Sequence, residues 1–78
     1  MEIDEFVRRI EGSLPGVTAG TLRPETRFRE LPTWDSLAAL TTLSAIDEAL
    51  SVQLPADQFR ACNTLRDLWD AAGRQKRA

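Results

Sequence analysis

Apolar residues recur at helical spacing in three stretches of the chain. Ile3, Phe6, Val7 and Ile10 follow the i, i+3, i+4, i+7 pattern of a single helix face and predict a first helix over about 3–11. Glu2, Asp4 and Glu5 suit its positive N-terminal end, and Gly12, Pro15 and Gly16 stop it. Leu37, Leu40, Leu43, Ile46 and Leu50 predict the longest helix, over about 36–51, with Asp35 as its N-cap and Ala38, Ala39, Ala45 and Ala49 raising its propensity. Leu65, Leu68, Trp69 and Ala72 predict a last helix that Gly73 ends. Its start is Asn63 or Thr64, and Thr64-Leu65-Arg66-Asp67 reads as a capping box with Asp in place of Glu. Residues 55–60 fit a short third helix anchored by Phe59.

Between the first two helices lies a long connection, residues 17–34, too irregular for a regular element. A loop of that length in a small domain needs anchoring. Leu22, Phe28, Leu31 and Trp34 are spaced along it as apolar pins, and Pro24-Glu25-Thr26 admits a short helical turn. No stretch reads as a strand. The pattern predicts an all-α four-helix bundle, three main helices plus a short third one and a long first loop, as a single domain over 1–78. The short later links favour antiparallel neighbours.

At 78 residues the chain can bury one small core, worth about 3–5 kcal/mol net. No apolar run approaches the ~20 residues that cross a bilayer, and the acidic N-terminus lacks the layout of a secretory signal. With Cys62 as the single cysteine, these features lead to the expectation of a cytoplasmic protein without disulfides. Met1 and the complete set of elements lead to the expectation of a discrete gene product. There is no histidine, so no Ser-His or Cys-His pair can form within the chain, and a metal site is not expected. Ten basic and twelve acidic residues give a net charge of −2, without the basic stripe of a nucleic-acid binder. Arg74-Gln75-Lys76-Arg77 reads as a solvated tail.

The candidate chemistry sits in Trp34-Asp35-Ser36-Leu37. This places the Ser36 hydroxyl where an ordered loop meets a helix, beside the unpaired N–H groups of the helix start. With no histidine to activate it, its modification would fall to another protein. Read alone, Ser36 and Asp35 are better explained as part of a helix cap, and only the surrounding pattern reverses that.

Taken together with Phe28 and Leu31, the Leu43/Ile46/Leu50 run, Asp47-Glu48, Val52-x-Leu54-Pro55 and Thr64-Leu65-x-Asp67-Leu68, the Asp35-Ser36-Leu37 motif resembles that of the acyl carrier proteins over nearly the whole chain. The resemblance implies a carrier, not an enzyme, with no catalytic residue. It implies 4′-phosphopantetheine attached to Ser36 from coenzyme A and acyl groups carried on it as thioesters. The partners implied are a phosphopantetheinyl transferase and the acyl-loading and acyl-consuming enzymes, met through Asp35, Leu37, Asp47 and Glu48. It implies no nucleic acid, no membrane and a monomer. A cargo pocket would lie among Phe28, Ala39, Thr42, Leu43, Ile46, Phe59, Cys62 and Leu68, where the Thr42 hydroxyl and the bulk of Phe59 would favour a short, polar or amino-acid-like cargo.

The chain departs from the family pattern in one respect. The first turns of the Ser36 helix carry Ala38, Ala39, Thr41 and Thr42 rather than acids, which predicts a more neutral docking face and a specialised pathway (secondary metabolite, polyketide or polysaccharide modification). Trp34 points the same way. The rivals are a peptidyl or aminoacyl carrier, whose usual glycine-rich approach to the serine Thr33-Trp34 does not match, and an arm-free helical adaptor.

Overall fold

Apolar spacing becomes four helices: α1 (Ile3–Ser13), α2 (Ser36–Leu50), α3 (Ala56–Ala61) and α4 (Leu65–Arg77). The computed structural model describes residues 2–77, so Met1, on which the expectation of a discrete gene product leans, lies outside the described residues. Among these residues the only β pairing is an isolated bridge between Arg27 and Thr64, and the fold is all-α.

Phe6, Val7 and Ile10 of α1 are buried against α2 and α4, where Ile46, Leu65, Leu68, Ala71 and Ala72 close the core. Trp69 is half-buried at the edge of this core, its ring 5.3 Å from that of Phe6. Two helix ends differ from expectation. α1 runs through Gly12 to Ser13, and α4 runs through Gly73 to Arg77, so residues 74–77 continue a helix rather than forming a tail. A glycine inside a helix costs only about 1 kcal/mol relative to alanine, and the packing of Ala71 and Ala72 just before Gly73 outweighs its stop signal. α2 ends at Ser51, which takes the left-handed conformation (φ 57°) and donates its N–H to the Asp47 carbonyl at 2.7 Å.

The long first loop is held at three points, and together they aim the chain at Ser36. Nearest α1, the buried Glu11 carboxylate accepts from Gly20 N–H (3.0 Å to each oxygen) and Leu22 N–H (2.7 Å), with Arg8 at 2.7 Å. Gly20 sits at φ 87°, a conformation that glycine adopts without strain. Further on, the Pro24 and Thr26 carbonyls accept the Arg66 and Leu65 N–H groups, so the loop caps α4. A turn at 23–26, closed by Thr26 N–H to the Arg23 carbonyl (3.0 Å), stands where the short helical turn was expected. The helical piece of the loop lies later, as a 3-10 turn at Phe28–Glu30.

The third point is aromatic. Phe28 is fully buried, with its ring 5.1 Å from Trp34 and 5.6 Å from Phe59 of α3. Arg29 lies over the Phe28 ring (4.9 Å) and donates to the Phe59 carbonyl (2.8 Å) and to the Cys62 carbonyl, meeting the open C-terminal end of α3. Leu22 and Phe28 are thus buried pins, and Leu31 and Trp34 pack at the core margin.

Candidate functional site

Trp34 is the last pin before the loop turns into α2. Its ring packs on Phe28 and lies 6.4 Å from Phe59, so the next residues leave the core at a fixed place. Asp35 follows in extended conformation and caps α2: its Oδ1 accepts Ala38 N–H at 2.8 Å, and its carbonyl accepts Ala39 N–H at 3.0 Å. Ser36, the first helical residue, is exposed. Its own N–H and that of Leu37 have no partner among the described residues.

An exposed oxygen beside two unpaired N–H groups at the positive end of a fifteen-residue helix suits a phosphodiester. The donors present therefore fit the phosphate of a phosphopantetheine group. The Asp35 carboxylate is a like charge next door, tied back to Ala38.

Of the expected contact residues, Asp35 caps α2 and Asp47 shares the Ser36 face of the helix, while Leu37 and Glu48 stand about 100–120° round from it. Leu37, Asp47 and Glu48 are all exposed, with Asp47 roughly 16 Å along the helix from Ser36. Leu40 joins them. Its helical spacing placed it in the core, yet it is 63% exposed beside Leu37 at 67%. Apolar residues run all round α2, so spacing alone could not choose the buried side. The choice falls on the small residues Ala38, Thr42 and Ala45 with Ile46, which let α1 approach closely. The signal lay in counting from Ser36: at about 100° per residue, position 40 stands only ~40° from position 36, and 42 and 45 stand on the far side. Leu43 is half-buried.

Thr42 is fully buried, and its hydroxyl donates to the Ala38 carbonyl at 2.9 Å. It presents no free donor to a cargo, so the expectation of a polar cargo loses that support. Cys62 is buried, its Sγ donating to the Gln58 carbonyl at 3.3 Å. Burial, and after it the Asp67 carboxylate, pushes this thiol up from its ordinary pKa. The thiolate, its reactive form, is thereby disfavoured.

A surface groove of ≈ 520 Å³ opens next to Ser36 along the Leu37 side of α2. One wall is the turn after α1, Leu14 to Gly16; the other is Leu37, Ala38 and Thr41, with Thr33, Trp34 and Asp35 between. Nothing in the hydrophobic pattern pointed to it, because loop and helix residues distant in sequence meet there. Gly16 makes the approach possible: it sits at φ 81°, and a Cβ there would lie 3.0 Å from Thr33 Cγ2.

The family model described as phosphopantetheine attachment site matches residues 5–72. An acyl carrier protein of Helicobacter hepaticus is 28% identical over 68 residues, which cover 87% of this chain and 90% of that protein. No solved structure gives a significant match.

Proposed function

The chain belongs to the acyl carrier protein family, whose members hold a phosphopantetheine attachment site, and on that premise we propose that Ser36 is the attachment residue of a non-catalytic carrier spanning 1–78. The observation that carries this reading is the exposed Ser36 hydroxyl at the head of α2, beside the unpaired N–H groups of Ser36 and Leu37. In the loading reaction the Ser36 oxygen bonds to the phosphorus that bears the pantetheine of coenzyme A. The pyrophosphate P–O bond breaks, adenosine 3′,5′-bisphosphate leaves and the hydroxyl proton passes to the transferase. The chain holds no histidine to take that proton, which supports an outside catalyst. When attached, the arm supplies a thiol on which acyl groups are carried, and delivery then depends on effective concentration rather than tight binding.

The exposed face around Ser36 supports a specialised rather than a housekeeping pathway. The first turn of α2 holds no acidic residue, and Leu37 and Leu40 present apolar surface instead. Transferase and acyl-handling enzymes would dock there mainly by apolar contact, with Asp47 and Glu48 as a distal acidic rim. No helix among the described residues is long and apolar enough to cross a membrane, which is compatible with a monomeric carrier working in the cytoplasm.

The test is intact mass after incubation with coenzyme A and a broad-specificity phosphopantetheinyl transferase. The wild type should gain one phosphopantetheinyl group and Ser36→Ala none. A folded wild type that gains nothing would point to the arm-free adaptor, and a gain that survives Ser36→Ala would move the site elsewhere.

A further inference from the structure

The geometry points to the groove between the end of α1 and the first two turns of α2 as a resting seat for the chain's own arm, an inference that rests on Ser36 being the attachment residue. The groove starts where the tether would start, since Asp35 and Leu37, the two neighbours of Ser36, both line it.

The lining also matches the arm chemically. Pantetheine carries a geminal dimethyl group near its phosphate, a hydroxyl and two amides further on, and the thiol at its end. The methyl groups need apolar surface, which Trp34 and Leu37 offer beside the tether and Leu14 and Pro15 offer across the groove. The amides need hydrogen-bond partners. Thr33 and Thr41 both line the groove, and neither hydroxyl has a partner among the described residues. The only charged side chain in the lining is Asp35, whose carboxylate is already held by Ala38 N–H. A neutral, amide-bearing chain can therefore lie there without burying an unpaired charge. Gly16 keeps the groove narrow by letting the α1 turn come up against Thr33. The opposite flank of α2, with Ile46 and Thr42, faces the core.

The experiment uses isotope-labelled protein loaded with an unlabelled arm and checked by intact mass. Isotope-filtered NOE spectra should show contacts from the arm's methyl groups to the Trp34 ring and to the Leu37 and Thr41 methyls. Amide shifts should change at Leu14 and Gly16, twenty or more residues away in sequence from Ser36. Thr41→Phe, which fills the groove, should lose these contacts in protein whose loading has been checked by intact mass. The wild-type spectra decide even if that variant folds poorly. Full loading with changes confined to residues 35–37, or with arm contacts to Phe59 and Cys62 instead, overturns the seat and leaves Ser36 as the attachment residue. A folded wild type that gains no mass overturns the attachment reading and the seat with it.

Discussion

Glu11 shapes the loop ahead of Ser36 although it lies far from it in sequence. Burial by itself raises its pKa, but the Gly20 and Leu22 N–H groups and the Arg8 guanidinium outweigh burial and hold the carboxyl below its usual value. The charged form is thus favoured more in the folded than in the unfolded chain. Its contribution is complete above the ordinary glutamate pKa and is lost as pH falls through the lower folded value. Glu11→Gln leaves at least one of those N–H groups poorly paired and should cost about 1–3 kcal/mol near neutral pH, read from urea unfolding. The gap between variant and wild type should narrow in acid as the wild-type carboxylate protonates. A gap that stays constant down to about pH 3 would mean the charge is not what holds the loop. Nothing in the sequence marked this residue. Glu11 continues the charged side of an amphipathic helix, and only the return of residues 20–22 onto it removes it from water. Arg29 is the same case, an ordinary loop arginine until α3 brings two carbonyls to it.

Among the elements, α2 ends under strain. Ser51 occupies the left-handed region, which costs an L-residue about 1–2 kcal/mol and which glycine adopts freely. Ser51→Gly should therefore raise stability, by up to about 1 kcal/mol once the greater freedom of glycine in the unfolded chain is counted. A lower melting temperature for this variant would show that the Ser51 side chain contributes more than its backbone costs. Elements whose signals are local were legible beforehand. The Thr64–Asp67 box forms as written, Thr64 Oγ1 accepting Asp67 N–H (3.1 Å) and Asp67 Oδ2 accepting the N–H groups of Asn63 (2.9 Å) and Thr64 (3.1 Å). The Asp35 cap forms as well. The facing of α2 was not legible in its apolar spacing, because a helix apolar on every side is oriented by its neighbours; here small residues turn inward and Leu40 is left outside.

At the scale of the whole molecule, the site is a neutral, apolar surface on a carrier of net charge −2. Docking steered by charge falls steeply with salt, and apolar docking does not. The rate of Ser36 loading should thus fall less than about threefold across a tenfold rise in salt, and Leu40→Glu should slow it more than removing Asp47 does. A steep salt dependence, or a silent Leu40→Glu, would return recognition to the acidic rim. The Asp35-Ser36-Leu37 motif on which the attachment proposal rests is contiguous and so stands out in the sequence, whereas the groove joins the α1 turn to α2 and exists only after folding. One buried atom has a practical bearing on all of this. The molecule's own sulfur, at Cys62, is buried and reluctant to ionise, so the native protein should react only slowly with a thiol dye until it is loaded. Colour would then count arms directly, and its loss would report each acyl group as it arrives.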